Sequence, residues 1–123
     1  MSVPILLVDD DDLYREAVTA DLEDRGFAVL AFADGPALLA ALEGGIEAEL
    51  ILIDWTLPQL SGLDLLRALR QRGCRLPIAF LTGRSGAERT EEALAAGAVD
   101  FIDKTCDIDE LVERLRSYIV RLS

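Results

Sequence analysis

Four consecutive carboxylates, Asp9 to Asp12, follow directly on the apolar run ILLV, and Asp54 closes a second run, ELILID. A hydroxyl, Thr82, ends a third run, PIAFLT, and an ammonium, Lys104, lies just beyond a fourth, VDFI. Acids crowded without a balancing arginine repel one another in a partly desolvated cleft, and hard divalent cations with oxygen ligands relieve that repulsion. Magnesium is the expected ion. It takes one or two carboxylates together with water and phosphate oxygens, which leaves Asp54 free to act otherwise. A carboxylate can attack phosphorus and form an acyl phosphate. Thr82 and Lys104 then suit the new phosphoryl oxygens, one by hydroxyl donation and the other as a point charge.

Each piece taken alone has a plainer explanation. A run of Asp after a strand commonly caps a helix, and Asp11 or Asp12 is expected to do so here. A strand-end Thr or a loop Lys is ordinarily structural or solvated. The functional reading rests on their joint placement, which depends on the elements that carry them.

Short apolar runs bounded by turn residues, at 3–8, 27–32, 49–54, 77–82 and 99–102, read as strands. Helical periods lie between them: Tyr14, Val18 and Leu22 with Leu13 and Ala17 beside them; Leu38, Leu39 and Leu42; Leu63, Leu65, Leu66 and Leu69; an alanine-rich stretch at 87–96; and 107–121 with Leu111, Leu115 and Ile119 on one face. Gly26, Gly44, Gly73 and Gly97 are expected as helix stops. Strict alternation of strand and helix predicts a parallel α/β sheet covered on both faces. Right-handed crossovers place every strand's C-terminal end along one edge, where open α/β sheets bind ligands. Asp9, Asp10, Asp54, Thr82 and Lys104 all fall at that edge.

Composition narrows the classes. The 123 residues, 51% of them hydrophobic, suit one domain with a substantial core. A formal charge of −11 disfavours direct nucleic-acid binding and anionic membrane surfaces. The two cysteines, Cys74 and Cys106, form no zinc array, and reduced thiols in a cytoplasmic protein are expected. No apolar run approaches the roughly 20 residues that span a bilayer, and the N-terminal residues do not read as an export signal.

The segments ILLVDDDDLYREAV, LILIDWTLPQLSGLDLLRALR, PIAFLTG and GAVDFIDK together resemble the receiver domains of two-component response regulators. Pro58 and Gly62 stand at that family's spacings after the acid, and the resemblance covers residues 3–121. It implies a flavodoxin-like (βα)5 fold with strand order 2-1-3-4-5. It implies Asp54 as phosphoacceptor, Asp10 as direct ligand of Mg2+, Asp9 as a ligand through water, and the backbone carbonyl of Thr56 completing the metal site. Thr82 and Phe101 match the family's switch pair, in which the hydroxyl moves toward the phosphoryl group and the aromatic ring turns inward. The donor implied is a sensor histidine kinase or phosphotransfer protein, since this chain has no histidine. The implied output is through the α4-β5-α5 face, where Asp100, Glu110 and Arg114 match residues that pair across a homodimer; the basic position in the fourth helix falls at Thr90, with Arg89 adjacent. Side chains two residues after the acceptor and two after the switch Thr, here Thr56 and Arg84, bear on the phosphoryl lifetime; neither is a carboxylate or carboxamide, so slow self-dephosphorylation is expected.

One departure concerns Lys104. Where the family continues Lys-Pro with a cis bond, this chain has Lys104-Thr105-Cys106. A non-proline cis bond costs about 2.5–4 kcal/mol, so a trans bond and an altered lysine geometry are expected. Phe101 lacks the hydroxyl of the more usual tyrosine, so its inward state is expected to be favoured even without phosphate. Other classes fit less well. A dehalogenase-type aspartate phosphatase would need an acid at position 56, where Thr stands, and a flavin module would need a hydroxyl- and glycine-rich cradle after the first strand. A pseudo-receiver used only for protein contacts would have little use for the full set of acids, Thr and Lys. The expectation is therefore a phosphorylation-controlled regulatory domain over 1–123, not an enzyme with a diffusible product. No effector domain is expected within the chain, which reads as a single-domain regulator or, preferably, the receiver segment of a longer protein.

Overall fold

The computed structural model describes residues 2–83 and 87–119. Five strands alternate with five helices: β1 (Val3–Val8), α1 (Asp12–Glu23), β2 (Phe27–Phe32), α2 (Gly35–Glu43), β3 (Leu50–Asp54), α3 (Gly62–Gln71), β4 (Ile78–Thr82), α4 (Ala87–Ala95), β5 (Asp100–Asp103) and α5 (Ile108–Tyr118). The strands pair in parallel in the order β2-β1-β3-β4-β5. The order reverses at β1, so β1 and β3 lie side by side while their crossovers leave on opposite faces, the arrangement that opens a crevice at the strand ends.

Alternation along the strands divides the core. On one face Ile5, Leu7, Leu50, Leu52 and Leu81 pack with Val18 and Leu22 of α1 and Leu111 and Leu115 of α5. On the other, Leu6, Val8, Ile51, Ile53 and Phe80 pack with Leu38 of α2, Leu65, Leu66 and Leu69 of α3, and Ala93 of α4. β3 and β4 are buried at every residue, as a central parallel strand must be. Fully burying each such Leu, Ile or Phe contributes about 1.5–3 kcal/mol, so the sheet centre is the rigid part on which the strand ends are mounted.

The departures from the sequence reading are local. β3 and β4 begin one residue later than the apolar runs, and β5 is shifted one residue onward, to 100–103. Val99 donates its N–H to Ile78 O at 2.8 Å ahead of the ladder. α5 spans Ile108–Tyr118 within the expected 107–121. Gly45, not Gly44, takes the left-handed conformation after α2 (φ +91°); Gly44 is still right-handed at φ −74°, because the helix keeps bonding through its cap. Leu13 is 80% exposed, since the buried stripe of α1 runs through Val18 and Leu22 and leaves Leu13 pointing outward.

Candidate functional site

The register brings the acids together. Val8 of β1 lies opposite Ile53 of β3, so the next residues, Asp9 and Asp54, emerge as neighbours at the C-terminal edge. Both are buried, whereas Asp10 is exposed at the mouth. One carboxylate oxygen from each of Asp9, Asp10 and Asp54 lies within 4.8 Å of the others. Asp11 supplies the cap of α1, its side chain accepting the Tyr14 N–H at 3.1 Å, which leaves the other two acids of the loop free of that task.

Lys104 enters from the far side of the sheet edge. Its Nζ lies 2.8 Å from Asp9 Oδ2 and 3.4 Å from Asp54 Oδ2. The loop that carries it is tied to β4 through Lys104 N–H and Thr82 O at 2.8 Å. No cis peptide bond occurs among the described residues, so the Lys104–Thr105 bond is trans, as expected, and the lysine nonetheless spans both acids. Thr105 closes the turn: its N–H and its hydroxyl both donate to Asp103 Oδ1, at 2.8 and 2.7 Å.

Two carboxylates sharing one ammonium leave a negative charge over. Burial, followed by the Asp9 charge, pushes the Asp54 carboxyl up to about 6, against the Thr56 N–H and Lys104, which pull it down. Burial also works against the lysine's charge, but Asp9 and Asp54 overcome it and hold the ammonium above the usual lysine value. Asp54 Oδ1 accepts the Thr56 N–H at 3.1 Å and Asp9 Oδ1 accepts the Asp11 N–H at 2.9 Å. Asp9 Oδ2 is buried, and the partner that meets it is the Lys104 ammonium at 2.8 Å. Three carboxylates with oxygens this close together, and one ammonium between two of them, are a donor set a hard divalent cation fits.

An arginine does attend the loop, contrary to the expectation of acids without one. Arg15 donates from Nη1 to the Asp9 carbonyl oxygen and from Nη2 to Asp12 Oδ1, each at 2.6 Å. It braces the loop backbone and leaves the carboxylates of Asp9, Asp10 and Asp54 to each other and to Lys104. Gly62 explains its spacing from the acid: a Cβ there would lie 2.6 Å from the Asp54 carbonyl oxygen and 3.1 Å from Trp55 Cα, so only glycine lets α3 start against the acid's own backbone. Between them, Leu60 N–H meets Pro58 O at 2.6 Å with Gln59 in the left-handed region at φ +64°, a turn that a glutamine gives no sign of in sequence.

Thr82 ends β4, buried, with its neighbour Leu81 opposite Asp54. Phe101 is buried and packs edge-on to Trp55, with centroids 5.3 Å apart; Trp55 meets Phe80 at 5.0 Å, and Phe80 meets Phe101 at 6.4 Å. The ring is inward, packed against Trp55 and Phe80. Thr56 is exposed beside the acid, and Arg84 lies outside the described residues. Sequence reasoning passed over Trp55, although its place directly after Asp54 put it at the edge. Tyr14 was read only as part of a helix stripe; its ring lies under Lys104 Nζ, 4.6 Å from the centroid.

The fold and this pocket define a receiver domain. The family described as the response regulator receiver domain matches residues 5–116, and the chain belongs to it. Among curated proteins it is similar to the response regulator MprA of Mycobacterium sp. (strain KMS), 35% identical over 123 residues, which is all of this chain and 53% of that protein. MprA of Mycobacterium tuberculosis (strain ATCC 25177 / H37Ra) is 36% identical over 121 residues, 98% of this chain and 52% of that one. The chain therefore spans about half the length of the curated relatives it matches. Among solved structures, the Francisella response regulator 1452 receiver domain superposes with a TM-score of 0.89 at 29% identity, covering 99% of this chain and all of that one. The Vibrio cholerae chemotaxis protein CheY4 does so at 0.89 and 27%, covering 97% of this chain and all of that one. Receiver domains are components of two-component signalling and bind Mg2+ at an acidic pocket; in this chain Asp9, Asp10 and Asp54 form an acidic cluster at the strand ends.

Proposed function

We propose that this domain accepts a phosphoryl group on Asp54 from a phosphohistidine of a sensor kinase or phosphotransfer protein, and relays its charge state to an output. The observation that carries the proposal is the sharing of the Lys104 ammonium by Asp9 and Asp54 in a buried pocket, with the Asp10 carboxylate at its mouth. A carboxylate of pKa about 6 is largely ionised at neutral pH and remains a nucleophile. As its oxygen bonds to phosphorus, the phosphorus–nitrogen bond of the donor breaks and the imidazole takes a proton. Lys104 then exchanges its carboxylate contacts for a phosphoryl oxygen, and the Thr82 hydroxyl donates to another. Mg2+ held by Asp9, Asp10 and Asp54, with the Thr56 carbonyl, supplies positive charge to the phosphoryl oxygens when bound. The domain assists its own phosphorylation and dephosphorylation in this scheme and acts as a switch.

Metal binding is tested on the fold itself. A cation that binds only the native cluster stabilises it by mass action. Thermal melts of the parent protein are expected to rise with Mg2+, and those of Asp10→Ala to stay flat while its metal-free melt is no lower than the parent's. A metal-induced shift of full size in the variant would remove Asp10 from the ligand set.

The output face proposed is α4-β5-α5. Asp100 already pairs within the chain, with Arg114 Nη1 at 3.3 Å and with the Tyr118 hydroxyl at 2.8 Å, and Arg114 Nε lies 3.5 Å from Glu110. A homodimer would exchange these partners across its two-fold axis, and exposed pairs of this kind contribute about 0–1 kcal/mol each. Sedimentation of the phosphorylated form is expected to show a dimer that Arg114→Glu weakens; a monomer at all concentrations would leave the face without this role. A cytoplasmic bacterial setting is proposed from the family; among the described residues no helix is long and apolar enough to cross a membrane.

A further inference from the structure

Lys104 is a flexible point charge on a four-carbon stem, and the proline that usually follows it in the family is absent here. Its side chain is only 18% exposed. Two carboxylates attract it, Asp9 Oδ2 at 2.8 Å and Asp54 Oδ2 at 3.4 Å. The ring of Tyr14, contributed by the first turn of α1, stands 4.6 Å from the ammonium. We propose that Tyr14 is a positioning residue for Lys104, its ring face seating the ammonium in the pocket where a phosphoryl oxygen is to arrive. This rests on the phosphoacceptor reading of Asp54.

The ring is itself held. Its backbone N–H is fixed by the Asp11 cap at 3.1 Å, and its side chain is half-buried against the cluster that contains Ile5, Val18 and Leu52. A cation over a tyrosine face is attracted by the ring quadrupole, more strongly where water is excluded. Burial, then the nearby Asp9 charge, pushes the Tyr14 hydroxyl above the usual tyrosine range, so the ring stays neutral near pH 7. Leucine at this position would fill the same apolar space without a π face, whereas phenylalanine would keep the face and lose the hydroxyl. Seating by the ring therefore predicts that Tyr14→Phe behaves as the parent and Tyr14→Leu does not.

Two readouts separate this from a packing role. In carbon-13 NMR correlation spectra of the metal-free protein, the Lys104 ε-methylene protons should be shifted upfield by the ring in the parent and in Tyr14→Phe, and return to the ordinary lysine position in Tyr14→Leu. With acetyl phosphate and Mg2+, labelling of Tyr14→Leu should be about tenfold slower than the parent and Tyr14→Phe within about twofold. An unshifted ε-methylene in the parent overturns the proposal without any variant having to fold. So does a Tyr14→Leu protein that labels at the parent rate, or a Tyr14→Phe protein as slow as Tyr14→Leu. Lys104→Ala is the control for the underlying reading: if it labels as fast as the parent, the role given to Lys104 fails, while the ring shift still reports whether Tyr14 seats it.

Discussion

Asp54→Asn is expected to take up no phosphate from acetyl phosphate in Mg2+, where the parent takes up one phosphoryl group per chain. The amide is nearly the same shape and can still accept the Thr56 N–H, a bond of 3.1 Å in the parent, so the fold should be kept. What it lacks is the negative oxygen that attacks phosphorus. Asp9 is a poor substitute: it is fully buried, with Oδ1 taken by the Asp11 N–H and Oδ2 against Lys104. Asp10 is exposed but does not contact the ammonium among the ion pairs described. Chelation of the metal should abolish labelling of the parent as well. Labelling of Asp54→Asn to the parent's extent would move the acceptor elsewhere.

The same substitution is expected to make the metal-free protein more stable at neutral pH. Asp54 is raised from the ordinary 3.8 to about 6, first by burial and then by the charge of Asp9. The folded state thus holds its proton more tightly than the unfolded chain does. Stability from this group is fully present below about pH 4 and is lost as pH rises through about 6. The mouth of the pocket is open to water, which screens part of the repulsion, and the loss is about 2 kcal/mol by pH 7. In urea titrations with chelator, Asp54→Asn should exceed the parent by that amount at pH 7, with the gap closing toward pH 4. A parent that grows more stable than the variant between pH 4 and 7 would contradict the strain assigned to the paired acids.

The site could be read from sequence for a topological reason. An acid at the end of each of two apolar runs, a hydroxyl at the end of another and a lysine after the last are legible because parallel topology sends every strand's C-terminus to one edge. The five strands and the strip of acids follow from period and punctuation alone. Contacts between elements do not. Periodicity gave Tyr14 a face of α1 but not the lysine that reaches it from beyond β5, some ninety positions on. Nor does the sequence tie Arg15 to the loop whose Asp9 carbonyl its guanidinium braces. The turn at Gln59 and the choice of Gly45 over Gly44 depend on one residue's backbone angle, for which adjacent residues carry the same signal. Gly62 could be recognised by its spacing, but its reason, the Asp54 carbonyl oxygen 2.6 Å from where a Cβ would stand, is visible only in three dimensions.

The central claim is the identity of the acceptor, and the most direct test is to locate the phosphoryl group on the parent protein. Borohydride reduces an aspartyl phosphate to homoserine, which marks the acylated residue permanently. After labelling with acetyl phosphate and Mg2+, reduction and peptide sequencing by mass spectrometry, homoserine is expected at position 54 and at no other aspartate. Homoserine at position 9 or 10 with Asp54 intact would contradict the account.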